Sequence, residues 1–169
     1  MKIERIETEV FILDIPEHNR FKDRLLGYID EMPNQSFEGV TKSDWNLPAS
    51  TERKYLRFFY TRMIGPCMNK LKNYLKAKEW GIANGWFQQY GENSEHTWHI
   101  HADANWANSY FLELPDPAFK TEIKIKDKII EYAVKEGQLI CFPAYLLHRS
   151  KPNGNKRKTV IAFNSHFPV

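Results

Sequence analysis

A chain of 169 residues, 42% hydrophobic and 27% charged, can bury a substantial core and does not have the composition of a disordered segment. Its net charge of +3 and pI of about 8.8 are too slight an excess to indicate a nucleic-acid binder, and the basic cluster Lys151–Lys158 reads as a solvated turn. No apolar run approaches the ~20 residues that span a bilayer, Met1–Thr8 is charged and alternating rather than a signal peptide, and Cys67 and Cys141 sit among apolar residues as free thiols of a reducing compartment would, so a soluble cytoplasmic protein with no membrane partner is expected.

Glu9–Ile15 is β-branched and aromatic and predicts a strand that Pro16 ends. Between Glu17 and Glu31, Phe21, Leu25, Leu26 and Ile29 recur at helical spacing, with Met32 continuing the stripe. Pro33–Ser50 has no sustained period and reads as a long loop, of the kind that is often functional; Trp45 within it is expected to fasten the loop to the core. Thr51–Arg62 predicts a helix capped by Thr51, and Gly65-Pro66 starts another that runs toward Gly81 with Cys67, Met68, Leu71, Tyr74 and Leu75 on one face.

After Ala83 the pattern changes to about eight short strand-like segments separated by turn residues: 83–90, 96–101, 107–114, 121–126, 129–135, 138–142, 146–150 and 158–166. Ile123 and Ile125 alternate with Lys124 and Lys126, and Asp127-Lys128 turns the chain into the next strand. Helices followed by regularly spaced strands predict an α+β fold, a single domain over 1–169 with an N-terminal strand and helices (1–82) packed outside a β-barrel or sandwich (83–169).

Chemistry concentrates in Trp98-His99-Ile100-His101-Ala102-Asp103. Residues two apart on an extended segment point to one side, so His101 and Asp103 can reach a common ion. His148, after the strand Gly137–Pro143, is the candidate third ligand, and two imidazoles with a carboxylate form the facial triad of non-haem Fe(II) sites. Arg157 follows nine positions later across a hairpin; its planar fork suits a buried carboxylate, and Thr159, two residues on, shares its face.

This set, with Asn108–Pro115, Glu136–Pro143 and Arg157–Asn164, resembles the 2-oxoglutarate/Fe(II)-dependent dioxygenases, and within them a prolyl-hydroxylase-like group met in bacteria and phages. The resemblance covers roughly residues 83–166. It implies a double-stranded β-helix (jelly-roll, cupin-like) core with His101, Asp103 and His148 as iron ligands. It also implies Arg157, with Thr159 and Tyr90, as partners of 2-oxoglutarate.

His99 shares the face of His101 and Asp103, so three side chains compete for two positions; His101 and Asp103 are favoured because a carboxylate lowers the charge on Fe(II), and His99, His101 and His148 form the alternative. His96 and His166 are expected to be surface or incidental. The implied activity uses Fe(II), 2-oxoglutarate and O2 to hydroxylate a C–H bond of an unidentified substrate, a prolyl or other protein residue among the candidates, and releases succinate. The competing readings are a non-catalytic or three-His cupin-like binding protein and a β-sandwich with incidental histidines.

Overall fold

The structure, a computed structural model, describes residues 8–168. Apart from Thr8, the stretch Met1–Thr8, expected not to be a signal peptide, lies outside the described residues. No helix among the described residues is long and apolar enough to cross a membrane.

The chain opens with β1 (Phe11–Asp14) and α1 (His18–Asp30), whose stripe buries Leu25 and Ile29 while Asp23 and Arg24 face water. The long loop follows and contains only the short β2 (Lys42–Ser43). Helix α2 (Lys54–Arg62) buries Tyr55, Leu56 and Phe59. It starts after Arg53 with no side-chain cap, so Thr51 does not cap it as expected. Helix α3 (Gly65–Tyr74) has Pro66 in its first turn, where a missing N–H costs nothing. It ends at Tyr74, and Gly81 opens a strand instead of closing the helix.

All the strands expected after Ala83 are present: β3 (Gly81–Tyr90), β4 (His96–His99), β5 (Trp106–Glu113), β6 (Thr121–Ile125), β7 (Lys128–Glu131), β8 (Gln138–Pro143), β9 (Leu147–Ser150) and β10 (Lys158–His166). The β6–β7 turn falls at Lys126-Asp127, one residue earlier than expected, because Ile125 pairs with Lys128 and Lys126 takes the left-handed conformation. One sheet has the order β1-β8-β5-β10-β3-β2 and the other β4-β9-β6-β7, with every pairing antiparallel. Apart from the β6–β7 hairpin, which stays in the smaller sheet, strands β3 to β10 alternate between the two sheets, the winding of a double-stranded β-helix.

Two apolar cores follow from this layering. One joins the helices (Leu25, Tyr55, Phe59, Met68) to the outer face of the larger sheet (Phe87, Tyr110, Leu139, Phe163). The other lies between the sheets around Phe111, Ile123, Phe142 and Val160. Both cysteines are buried free thiols.

Side-chain alternation decides what each strand offers to the interior. On β10, Ile161 and Phe163 pack toward the helices. Lys158, Val160, Ala162 and Asn164 line the space between the sheets.

Asp44, fully buried, fixes the long loop. Its Oδ1 accepts from the Phe87 backbone N–H at 2.9 Å, and its Oδ2 accepts from Arg53 Nε at 2.8 Å and Tyr55 Oη at 2.7 Å. Arg53 also donates to the carbonyls of Asp44, Leu47, Pro48 and Thr51, which is why this part of the loop has a defined path without regular structure. Asp44→Ala strands the guanidinium and the Phe87 N–H, so a loss of about 3–5 kcal/mol is expected, measured by denaturant unfolding against wild type.

Candidate metal centre

Strand β4 runs antiparallel to β9, and their register sets His99 directly opposite His148. His101 follows as the chain leaves β4, its backbone N–H bonded to the Ala144 carbonyl at 3.0 Å. One ring nitrogen from each of His99, His101 and His148 lies within 4.8 Å of the others. His101 Nε2 and His148 Nε2 are 3.2 Å apart. Two nitrogens at right angles about an ion with bonds of ~2.1 Å stand ~3 Å apart, so the spacing fits a shared metal.

The opposite ring nitrogens are held in the manner such ligation requires. His148 Nδ1 donates to the Leu146 carbonyl at 2.9 Å and His99 Nδ1 to the Thr97 carbonyl at 2.7 Å, which leaves each Nε2 lone pair free. The Asn164 amide lies 3.4 Å from His101 Nδ1, and its Oδ1 is buried without a partner. Turned toward His101, that oxygen accepts the Nδ1 proton and frees the third lone pair. The chemistry of this donor set fits a divalent transition ion bound on one face.

Burial keeps these imidazoles neutral. It lowers His148 to about 3 and His101 to about 4, with the charge of His99 adding in both cases, and it lowers His99 as well. The sign follows from linkage. Unfolded imidazoles take up protons near pH ~6.5 and the folded ones do not, so stability is complete above that pH and is lost progressively as pH falls toward 4 and 3. Metal-free protein is therefore expected to unfold at lower denaturant concentration at pH 5 than at pH 7; equal midpoints would contradict buried neutral imidazoles.

Asp103 is not brought to this cluster. The ties from the His101 N–H to the Ala144 carbonyl and from the Ala144 N–H to the Asn105 carbonyl bracket a bend, and Asp103 sits on that bend exposed to water. His96, expected at the surface, is buried. Tyr90 Oη donates to Gln88 Oε1 at 2.9 Å, Gln88 Nε2 donates to His96 Nδ1 at 3.1 Å, and His96 Nε2 lies 3.5 Å from Glu38. With its Nδ1 bonded to Gln88 and its Nε2 toward Glu38, His96 packs beside His99 at a ring separation of 4.0 Å and lies outside the converging trio. His166 is half-buried and bonded to Asn105 at 2.9 Å.

The three histidines line one partly open cavity between the sheets. Tyr90 lines it, and so does Lys158, expected at the end of a solvated basic turn and instead buried. Lys158 is 2% exposed; its Nζ lies 4.1 Å from the Tyr90 ring centre and donates to Ser150 Oγ and to the Phe119 carbonyl. Among the described residues no carboxylate lies within salt-bridge distance of it. Burial, and then the charge of Lys151, lower it to about 7.

Arg157 points the other way. Its guanidinium forks onto Glu113 through two contacts of 2.9 Å and approaches Asp30 at 3.5 Å. Thr159, on the same face, donates to Glu113 and accepts from Gln89. Neither lines the cavity.

The architecture is a double-stranded β-helix with a candidate metal centre between the sheets. The amino-acid sequence matches no protein-family model and no curated protein. In fold, the chain is similar to a 2OG-Fe(II) oxygenase family oxidoreductase from Burkholderia pseudomallei (TM-score 0.72, 11% identity, 92% of this chain and 83% of that one). It is also similar to the viral collagen prolyl hydroxylase of Paramecium Bursaria Chlorella virus-1 in complex with 2OG (TM-score 0.60, 15% identity, 95% and 96%). A third similar structure is a Trichoplax adhaerens prolyl hydroxylase in complex with a hypoxia inducible factor peptide fragment (TM-score 0.62, 12% identity, 92% and 82%).

Proposed function

We propose that this protein is an Fe(II)- and 2-oxoglutarate-dependent dioxygenase that hydroxylates a substrate C–H bond: 2-oxoglutarate, O2 and R–H give succinate, CO2 and R–OH. One observation carries the reading. A single cavity holds three converging neutral imidazoles together with a buried ammonium that has no anionic partner among the described residues. A metal site alone has no need of the ammonium, and a bare β-sandwich has no need of either.

In this reading His99, His101 and His148 hold the iron, and His101 and His148 belong to the ligand set whether His99 or Asp103 completes it. Lys158 receives the far carboxylate of 2-oxoglutarate, and the arriving anion raises its proton affinity and keeps it charged. Tyr90 holds the ammonium from below through its ring. Iron, when bound, would activate O2, the oxidant, and 2-oxoglutarate would supply two electrons as it is decarboxylated to succinate. Asn164 keeps the His101 ring in the ligating tautomer, and Trp86, Phe142 and Val160 exclude water.

The test is an anaerobic titration of the full chain with Fe(II) and then 2-oxoglutarate. A weak visible charge-transfer band that requires both is expected, followed by succinate release in air. A protein that binds the metal but neither develops the band nor consumes 2-oxoglutarate is not this enzyme.

A further inference from the structure

The mouth of the cavity carries its own chemistry. A recess opens beside the histidines and is lined by Phe37, Glu38, Trp45, Trp86 and Ile100. Trp45 meets Trp86 edge to face at 4.4 Å, and Phe37 lies 5.7 Å from Trp45. Trp45 is 42% exposed and Ile100 54%, so the tryptophan packs on the buried Trp86 and still leaves an open aromatic face. No lysine or arginine lines the recess.

Glu38 is its one formal charge, presented by a turn with a particular backbone. Phe37 and Val40 exchange backbone hydrogen bonds of 3.2 and 2.7 Å around Glu38-Gly39, which have φ of 44° and 86°. That is the primed hairpin turn, whose first central position favours Asn, Asp or Gly. A glutamate there accepts a left-handed conformation that L side chains rarely adopt. The turn is pinned by Ser94 Oγ and the Glu95 N–H donating to the Gly39 carbonyl. Glu38 is exposed, and among the described residues only His96 lies within salt-bridge distance.

Aromatic walls around one uncompensated carboxylate are complementary to an alkylated ammonium, which the ring faces and the negative charge attract together. We infer that the substrate enters this mouth with a cationic alkylammonium group, seated on Trp45 and Phe37 and paired with Glu38. The inference rests on the cavity being an oxygenase site. The charge order then runs from a cation-binding mouth, past the metal, to the anion-binding Lys158.

The test uses the full chain and two probes of equal shape, choline and its uncharged carbon isostere dimethylbutanol, titrated against tryptophan fluorescence. Choline is expected to bind about 10-fold more tightly than the isostere. Glu38→Gln should bring the two together, with an unchanged circular dichroism spectrum and unchanged Fe(II) affinity. Trp45→Ala should weaken both probes. Equal binding of the two probes by wild type, no binding of either, or a preference that survives Glu38→Gln overturns the inference, as does turnover of an uncharged prolyl peptide against which choline does not compete. The Fe(II) and succinate measurements read the oxygenase assignment separately, so either conclusion can fail alone.

Discussion

Replacing His148 by alanine is expected to lower Fe(II) affinity by at least ~100-fold and to abolish 2-oxoglutarate-dependent succinate formation, because it removes a buried donor fixed from behind by the Leu146 carbonyl. Metal binding is read by competition with a chelating dye and turnover by succinate, with thermal unfolding of the metal-free variant showing that the fold persists. Full turnover in His148→Ala under iron-replete conditions would end the assignment. The same assay separates the two ligand sets. His99 lies in register with His148, whereas Asp103 lies exposed on a bend between two backbone ties. His99→Ala is therefore expected to behave like His148→Ala, and Asp103→Ala to keep metal affinity within about threefold of wild type. The opposite order would mean that the bend closes on the ion and completes a set of two histidines and a carboxylate.

The second large effect concerns Lys158 and its neighbour. Lys158→Met is expected to raise the KM for 2-oxoglutarate by about 100-fold or more, since removing one member of a buried charge pair costs roughly 2–5 kcal/mol. Arg157→Gln should leave that KM within about threefold, because Arg157 is committed to Glu113 on the outer face. Fe(II) affinity, measured in both variants, should be unchanged. A large KM effect at Arg157 with none at Lys158 would place the cosubstrate on the other side of β10.

These two residues also show what a strand pattern conceals. The position of β10 and its polar entry at Arg157-Lys158-Thr159 are visible in the sequence, but the hairpin expected between β9 and β10 does not form, because β10 pairs with β3 and β5 in the other sheet. Which alternate set faces inward is not visible there, because β10 is buried along nearly its whole length and both of its faces are apolar, one toward the helices and one toward the second sheet. A shift of one residue exchanges Arg157 and Thr159 for Lys158 and Val160. A guanidinium is the more familiar carboxylate partner, yet pleating gives the inward position to the lysine.

The hexapeptide Trp98–Asp103 taught the same lesson locally. Equal spacing sets His99, His101 and Asp103 on one face only while the segment remains extended. Strand β4 ends at His99, and the chain then bends through Ala102 and Asp103.

By itself the sequence determined the order of helices and strands, an α+β fold with a β-barrel or sandwich, and the pairing of an early histidine cluster with His148, because periodicity, turn residues and ligand chemistry are local properties; the jelly-roll type of core came from the family resemblance. Tertiary structure decided which of three candidate donors converge, that Lys158 rather than Arg157 enters the cavity, and that Trp45 and Glu38 stand at its mouth. Those outcomes depend on register between strands distant in the chain and on a loop fixed by Asp44, and neither leaves a periodic trace in the residues themselves.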